Sequence, residues 1–306
     1  MWVKSDEMVV KEKRRDSRGG FEVIWRRDWV KHPEISVIMS VYNAEETVKY
    51  AIESIIGQTL KNFEFIIIND GSTDGTFDVL MEYFQKDNRI IIINQENIGL
   101  TKSLNRSVEI ARGRYIARQD ADDVSLNKRL EIEKNFLEER GLDFVGSNVI
   151  YINKKREELF TSSLPLEYED IFSKITKFNP FIHSTILIKS SLLKKYKYDE
   201  RFEMAQDYDL WLRILEDGYR AMNIKKPLLK FMFSTGDDIK SLKKRNKSTY
   251  YSLVALKLAN ERGKWKIPKF QIIKRKVLLH IPVYIKRIYH LFISYEKQNL
   301  MKAKVK

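Results

Sequence analysis

The sequence predicts an α/β protein in which helices flank a mostly parallel central sheet. Short apolar runs alternate with longer stretches whose apolar residues recur at helical spacing. This alternation is typical of βαβ units, which build parallel sheets. The chain has 306 residues, 43% of them hydrophobic, so it can bury a large core on both faces of such a sheet.

The alternation starts after residue 33 and stays regular as far as residue 151. The first apolar run, 36–41, predicts a buried strand, and the segment after it places Val48, Ala51 and Ile55 on one helical face. Strands are predicted over 36–41, 63–68, 90–93, 115–118 and 143–151, and helices over 45–59, 74–86, 100–112 and 126–140. Residues 72–74 supply the polar cap that starts the second helix.

Beyond residue 151 the pattern becomes mixed. Strands are predicted over 181–189 and 227–233, and helices over 207–216, 238–261 and 270–295, the last interrupted by Pro282. Residues 1–33 are polar and predict a loosely held extension with one short element near 21–25. Three regions follow: an N-terminal extension over 1–33, an α/β domain over 34–235 and a basic helical region over 236–306.

The net charge of +14 belongs to the C-terminal segment. Residues 240–306 contain 19 Lys and Arg but only two acids, whereas the rest of the chain has a net charge of −3. The segment is therefore expected to meet anions. The chain has no cysteine, which excludes disulfides and thiolate metal sites. It also shows no secretory signal and no apolar run long enough to span a bilayer.

Polar residues or glycines follow each of the first four predicted strands. They are Tyr42-Asn43, Asp70-Gly71-Ser72, Asn97-Ile98-Gly99 and Asp120-Ala121-Asp122. Because ligands of open parallel sheets bind outside the carboxyl ends of the strands, these four segments predict one binding site. Asp70 there either accepts a hydrogen bond from a nucleotide base or is an ordinary turn acid before Gly71.

Three carboxylates, those of Asp120, Asp122 and Asp123, crowd the end of the fourth strand. Such a cluster needs either a cation or full solvation, so it predicts a divalent metal that bridges phosphates or else a solvated acidic loop. Asp122 is the better placed direct ligand, with Asp120 reaching a ribose or the metal, and Asp123 either structural or touching the acceptor. Arg129 either contacts a phosphate or is a solvated helix charge.

A second acidic segment, 206–209, opens the helix over 207–216. Asp207 is there either a helix cap or a general base that takes a proton from an acceptor hydroxyl. Trp211 offers an aromatic face to a sugar or packs in the core. His183, before an apolar run, either touches a phosphate or an acceptor or is structural.

Several other classes of site lack their signatures. The sequence contains neither the glycine pattern of dinucleotide-binding folds nor that of phosphate-binding P-loops. The segment starting at Asp70 imitates a calcium loop but has Met81 where that loop needs a bidentate acid. No histidine pair has zinc-hydrolase spacing.

Together these motifs resemble glycosyltransferase family 2. The resemblance rests on the ordered set Ser36–Asn43, Asn69–Asp74, Asn97–Leu100, Gly113–Ala117, Asp120–Asp123 and Gln206–Trp211, which spans residues 34–235. It implies a GT-A fold, a UDP- or similar nucleotide-sugar donor, Mg²⁺ or Mn²⁺, and inversion at the anomeric carbon. It covers neither the first 33 residues nor the basic segment. One departure is Gln206, where many relatives carry Glu, which bears on acceptor contacts.

The resemblance also assigns roles to residues. It implies that Val41, Tyr42, Asn43, Glu45 and Asp70 line the base and ribose of the donor and that Lys102 approaches its phosphates. Further candidate donor contacts are Gly99, Asp120 and Arg129. Asp120 and Asp122 would hold the metal and Asp207 would be the catalytic base. Candidate acceptor contacts are Asp123, His183, Gln206 and Trp211.

The apolar positions of 270–292 form a stripe with basic residues beside it. This stripe predicts a helix lying in an anionic membrane interface, or one packed on the body or on a partner subunit. The expectation is a transferase at the cytoplasmic face of the cell membrane that builds cell-surface glycans on a glycan or lipid-linked acceptor. The alternatives are transfer to a polyprenyl phosphate or, in another class, nucleic-acid binding through the basic segment.

Overall fold

The computed structural model of the chain describes residues 9–15, 21–27, 32–233 and 239–281. Within them, eleven strands form one sheet in the order β1-β2-β5-β4-β3-β6-β10-β8-β11-β7, with β9 paired to β8. The strands are β1 Val9–Arg15, β2 Phe21–Arg27, β3 Ile35–Val41, β4 Phe63–Asp70, β5 Ile90–Gln95, β6 Tyr115–Arg118, β7 Val124–Ser125, β8 Phe144–Ile152, β9 Glu158–Thr161, β10 Leu187–Lys189 and β11 Ala221–Met232.

Nine helices accompany the sheet in these described residues. They are α1 Val48–Ile56, α2 Thr76–Lys86, α3 Leu100–Ile110, α4 Arg129–Glu139, α5 Tyr168–Lys174, α6 Ser190–Tyr196, α7 Gln206–Glu216, α8 Ile239–Arg262 and α9 Lys269–His280, with one 3₁₀ turn at His183–Thr185. No helix in the part of the chain that the structure describes is both long and apolar enough to cross a bilayer.

The centre of the sheet is the parallel block β5-β4-β3-β6. Strands β8 and β11 are also parallel to each other, whereas β10 runs antiparallel between β6 and β8. The predicted α/β architecture, a mixed and mostly parallel sheet flanked by helices, is confirmed. The parallel arrangement of β3, β4, β5 and β6 also places their carboxyl ends at one edge of the sheet.

Two hydrophobic cores cover the two faces of the sheet. Alternate residues of β4 separate between them: Ile66 and Ile68 pack with α3, α6 and α7 on one face, and Phe65 and Ile67 pack with α1, α2 and α4 on the other. Every residue of β4 is buried. This two-sided burial explains why the strand reads as a continuous apolar run rather than an alternating one.

The basic C-terminal region is attached to the first of these cores. Leu256 and Ala259 of α8 are fully buried with residues of α7, and Trp265 and Ile267 in the segment after α8 join them. The indole N–H of Trp265 donates to the carbonyl oxygen of Leu212 at 3.2 Å. The region is therefore packed against the body through α8, although α9 leaves several apolar side chains exposed.

The N-terminal extension differs from its prediction. The short element expected near residues 21–25 is the seven-residue strand β2, which forms a hairpin with β1 and pairs antiparallel with β5. Pairing with the free edge of β5 stabilises the hairpin, and a contact so distant in sequence leaves no local signal. The strand predicted over 181–189 is shorter, because the turn His183–Thr185 precedes β10. The part of the predicted last helix beyond residue 281 lies outside the described residues.

Candidate active site

A cleft of about 750 Å³ opens at the carboxyl ends of β3 and β6. One wall is the loop between β3 and α1, including Tyr42, Asn43 and Glu45. The acidic segment 120–122 lines the cleft as well, and so do two residues of the β8–β9 hairpin, Lys154 and Arg156. The structure thus brings together the predicted residues of the first strand end and those of the fourth.

The β3–α1 loop and the β4–α2 loop brace each other. Asn43 has a left-handed backbone (φ 49°), and its side-chain oxygen accepts the amide N–H of Thr73 at 2.8 Å. The Glu45 carboxylate accepts the amide N–H of Gly75 at 2.9 Å. A Cβ at Gly75 would lie 2.7 Å from the Glu45 carboxyl carbon, so a larger residue there would displace the Glu45 carboxylate. Tyr42 is left 52% exposed at the mouth of the cleft.

Asp70 is buried at the end of β4 and anchors the loop before α3. Its carboxylate accepts hydrogen bonds from the side chain of Gln95 and from the amide N–H groups of Ile98 and Gly99, at 2.9 to 3.0 Å. A carboxylate offers about four lone-pair positions, so one is left for a ligand. The predicted base contact of Asp70 stays a prediction. Lys102, in the first turn of α3, does not line the described cleft.

The acidic segment concentrates negative charge. Asp120 lies 2.6 Å from the buried guanidinium of Arg118, measured to its Nη1. Asp122 is exposed to the cleft, yet nearby protein atoms displace water from its carboxylate, and this desolvation together with repulsion from Asp120 raises the pKa of Asp122 to about 6. Carboxylates that resist ionisation in this way favour a bound cation.

The residues present fit a divalent cation that is shared with a substrate. Asp120 and Asp122 offer hard oxygen ligands, but among the described residues no group of three or more acidic, histidine or cysteine side chains converges on one point. Magnesium is commonly held by one or two carboxylates together with substrate phosphates. With only these two carboxylates, the remaining ligands of such a cation would have to come from a substrate or from water.

Asp123 is the structural member of the acidic segment. It is 1% exposed, and its Oδ1 accepts the amide N–H of Met232 at 2.8 Å, which ties the segment to the end of β11. Burial, followed by the charges of Asp120 and Asp122, raises the pKa of Asp123 well above its usual range. Its burial does not suit the alternative of an acceptor contact.

A second polar cluster surrounds the start of α7. The Oδ2 of Asp207 accepts a hydrogen bond from Nδ2 of Asn179 at 2.7 Å. Desolvation raises the pKa of Asp207, and the bonds from Asn179 and from backbone N–H groups oppose that rise. Ala205, next to the helix start, has a left-handed backbone (φ 57°). A non-glycine residue in this conformation is strained, which is common at functional sites.

His183 is neutral. It is paired with Tyr198, whose hydroxyl lies 2.8 Å from its Nε2. Burial and the nearby charge of Arg118 keep the pKa of His183 well below its usual range. A neutral ring bonded to a tyrosine fits the structural alternative better than a contact with phosphate.

Three residues that were predicted to contact a ligand are buried in the structure. Arg129 is fully buried and bonded to Glu133, Gln119, Ser125 and the carbonyl oxygen of Arg118, so its predicted phosphate contact is wrong. Trp211 is also fully buried and stacks on Phe144 at 4.8 Å between ring centroids, so it cannot face a sugar. Gln206 is 5% exposed, which leaves it little surface for an acceptor.

Replacing Arg129 by methionine is expected to lower the free energy of unfolding by about 3 to 5 kcal/mol, because Glu133 is left as an unpaired buried charge. Urea denaturation measures this loss. The double variant Arg129→Met/Glu133→Leu serves as the control and should recover much of the stability, since it removes both charges. A single variant that folds normally but loses affinity for a nucleoside diphosphate would support the phosphate contact instead.

Sequence reasoning missed Arg118, Asn179, Lys154 and Arg156. Asn179 reaches the Asp207 carboxylate across 28 residues, and no spacing in the sequence records this contact. Arg118 lies only two residues before its partner Asp120, so its closeness to the acidic segment was visible in the sequence. The hairpin residues did have a signal, a run of three basic residues at 154–156 between two apolar segments.

The fold and the cleft are those of a glycosyltransferase. The model of the family described as "Glycosyl transferase family 2" matches residues 36–202, which include the carboxyl ends of β3 and β6 at the cleft. The chain belongs to this family and is a glycosyltransferase with a GT-A fold.

Relatives that are similar in sequence support the family assignment, and the match covers most of the length of each. An uncharacterized glycosyltransferase of Methanocaldococcus jannaschii is 39% identical over 230 residues, covering 72% of this chain and 78% of that protein. The O-antigen biosynthesis glycosyltransferase WbnJ of Escherichia coli is 35% identical over 226 residues, covering 72% and 87%. The E. coli UDP-Glc:alpha-D-GlcNAc-diphosphoundecaprenol beta-1,3-glucosyltransferase WfaP is 34% identical over 190 residues, covering 62% and 73%.

Solved structures share the fold. The mannosyltransferase PcManGT of Pyrobaculum calidifontis, in complex with GDP-Man and Mn²⁺, matches with a TM-score of 0.58 and 17% identity, over 87% of this chain and 76% of that one. Staphylococcus aureus TarS 1–349 with UDP-GlcNAc matches with a TM-score of 0.57 and 20% identity, over 72% and 66%.

Proposed function

We propose that the protein is an inverting, metal-dependent glycosyltransferase. It transfers a sugar from a nucleoside-diphosphate donor, UDP in our proposal, to a hydroxyl of a glycan or lipid-linked acceptor in cell-surface polysaccharide synthesis. The observation that carries the proposal is the single cleft in which Asp120 and Asp122 lie with Tyr42, Asn43 and Glu45. That combination suits a ligand with a nucleoside at one end and a diphosphate at the other.

Asp122 would hold the metal directly and Asp120 would assist it. When bound, Mg²⁺ or Mn²⁺ would neutralise the charge that builds up on the leaving diphosphate. Tyr42, Asn43 and Glu45 would bind the nucleoside through a wall that the contacts with the β4–α2 loop hold rigid.

Asp207 would act as the base. An acceptor hydroxyl gives its proton to the Asp207 carboxylate while its oxygen forms a bond to the anomeric carbon. On the opposite face of that carbon, the bond to the diphosphate oxygen breaks, and the configuration inverts. Asn179 would orient the carboxylate through its 2.7 Å hydrogen bond.

Removing Asn179 is expected to move the pH profile of turnover. The base works as a carboxylate, so activity falls as pH drops through the pKa of Asp207, which is raised above its usual value. Asn179 donates to the charged form and holds that pKa down, so Asn179→Ala should shift the acidic limb to higher pH. The measurement is kcat/KM against pH, and an unshifted limb would contradict the role of Asn179.

The relatives support the donor and acceptor classes in this proposal. TarS has been solved with UDP and with UDP-GlcNAc, and WfaP is named for a UDP-glucose donor and a diphosphoundecaprenol-linked acceptor. WbnJ is named for O-antigen biosynthesis. PcManGT, in contrast, was solved with a GDP-linked sugar, so the identity of the donor's nucleobase needs a direct test.

The test is a hydrolysis screen of UDP-, GDP- and dTDP-sugars with Mn²⁺, followed by transfer to a lipid-diphosphate-linked sugar or to a polyprenyl phosphate. We expect Mn²⁺-dependent release of UDP and transfer to the sugar hydroxyl. Product formed only on the polyprenyl phosphate would establish the alternative acceptor. A protein that neither binds nor hydrolyses any of these donors would overturn the proposal.

We further propose that α9 binds an anionic membrane surface at the cytoplasmic face of the cell membrane. Phe270, Ile273 and Val277 are spaced along one helical stripe and are 55 to 60% exposed. Lys274 and Lys276 lie on the same helix and would attract acidic lipids. The positions of the predicted stripe beyond residue 281 lie outside the described residues.

Replacing Phe270, Ile273 and Val277 together by asparagine is expected to weaken binding to anionic vesicles by roughly tenfold or more, since each large apolar side chain contributes about 1.5 kcal/mol when buried. Vesicle sedimentation measures the loss. Leu159→Asn with Phe160→Asn is the control, since it removes similarly exposed apolar side chains from β9. Deleting the segment from residue 265 would be a poor test, because Trp265 belongs to the core. Unchanged vesicle binding by the α9 variant would refute the membrane contact.

A further inference from the structure

The turn that joins β8 to β9 is built to hold one basic side chain in a fixed place. Asn153 closes the turn: its side-chain oxygen accepts the amide N–H groups of Lys155 and Glu157 at 2.9 and 3.0 Å. Its carbonyl oxygen accepts the amide N–H of Arg156 at 2.8 Å. Arg156 itself adopts a left-handed backbone (φ 64°), which is uncommon for a residue other than glycine.

The turn presents Arg156 to the cleft. The guanidinium carbon of Arg156 lies 3.3 Å from the ring centroid of Tyr50, a residue of α1, and both residues line the cleft. A guanidinium that stacks on an aromatic ring keeps the N–H groups at its edge available for a planar, bidentate acceptor. The stack therefore fixes the position of the cation without using its hydrogen-bond donors.

The basic side chains of the cleft have no carboxylate partner among the described residues. Among the described residues that line the cleft, five are acidic and two, Lys154 and Arg156, are basic. Within the described part of the chain neither basic residue forms an ion pair, although Lys230, nearby on β11, is paired with Glu158. Two unpaired cations in a cleft with the metal-binding carboxylates are suited to an anion that the metal also binds.

We propose that Arg156, assisted by Lys154, binds the diphosphate of the nucleotide donor. This inference rests on the proposed function and adds a specific contact to it. The diphosphate gains a negative charge as its bond to the sugar breaks, beyond what one divalent cation neutralises, and Arg156 supplies a positive charge in the bidentate geometry that phosphate oxygens prefer. The nucleotide is the source of the diphosphate rather than a lipid-linked acceptor. Tyr42 and Asn43 line the same cleft, whereas the base Asp207 does not.

The test compares UDP with uridine by calorimetry, each with and without Mn²⁺. Arg156→Gly is the informative variant, because glycine accepts the left-handed backbone and leaves the turn intact. Lys155→Gln is the matched control: it removes a charge from an exposed neighbour that does not line the cleft. We expect Arg156→Gly to weaken UDP binding by roughly 10- to 100-fold, the value of a hydrogen-bonded charge, and to leave uridine binding unchanged.

Other results would overturn the inference. Equal UDP affinity in Arg156→Gly and the wild type would do so, and so would a parallel loss of UDP and uridine binding, which would mean that the turn serves the nucleoside. Farnesyl diphosphate is titrated as a third probe, and a loss confined to it would assign Arg156 to a lipid diphosphate. Arg156→Lys, which keeps the charge, should recover part of the UDP affinity. A wild type that binds no nucleoside diphosphate would overturn the proposed function itself, and the inference with it.

Discussion

Replacing Asp207 by asparagine is expected to cut turnover by about a thousandfold, within the range that a general base contributes. The amide has nearly the shape of the carboxylate, and its oxygen can still accept the hydrogen bond from Asn179, so the start of α7 should keep its geometry. The variant cannot take up the acceptor proton. Steady-state transfer with UDP-sugar and Mn²⁺ measures the loss, and calorimetry should find UDP affinity unchanged.

The control for this variant is Asp78→Asn, which removes an exposed carboxylate from the first turn of another helix, α2. It should keep wild-type turnover. Wild-type turnover in Asp207→Asn would show that Asp207 only stabilises the first turn of α7. Loss of UDP affinity in that variant would place Asp207 in the donor site instead.

Replacing Asp122 by asparagine is expected to weaken Mn²⁺-dependent UDP binding by at least roughly tenfold, since even residues that only orient a metal ligand commonly contribute that much. An amide oxygen is a weaker ligand than a carboxylate and does not neutralise the cation. Calorimetry of UDP with and without Mn²⁺ separates the affinity that depends on the metal from the affinity of UDP alone. The binding measured without metal should change little or become stronger, because a repulsive charge has been removed.

The control for Asp122 is Glu46→Gln, which removes an exposed carboxylate from the same cleft without a proposed metal contact. Its Mn²⁺ enhancement should equal that of the wild type. The same enhancement in Asp122→Asn would rule out the metal role. An equal loss in both variants would mean that the overall charge of the cleft, rather than a ligand, binds the cation.

Much of this architecture could be predicted from local sequence. The apolar runs of β3, β4 and β6 are continuous because both of their faces are buried, and the polar residues after them are needed at the edge where the strands end. The positions of Asn43 and Asp122 in one cleft follow from this arrangement. Asp70 lies at the same edge, but its three internal hydrogen bonds could not be seen in the sequence.

The errors concern residues that are buried by contacts with other elements of the fold. Arg129 reads as an exposed charge at a helix start, yet it is buried because Gln119 and the carbonyl oxygen of Arg118 accept its hydrogen bonds at the end of β6. Trp211 lies between Phe144 and Phe181, which belong to other elements. Neither contact produces a periodic pattern, so the helix pattern alone could not separate an exposed role from a buried one.

The hydrogen bond from Trp265 to the carbonyl oxygen of Leu212 joins the C-terminal region to α7, so the core at α7 depends on residues that are synthesised late. The family match ends at residue 202, and the segment that carries Asp207 follows directly. The core beneath α7, however, is completed only by Leu256, Ala259, Trp265 and Ile267. A nascent chain that already contains every residue of the proposed site would still expose this apolar surface until those residues leave the ribosome. During that interval the chain is vulnerable to aggregation and to chaperone binding.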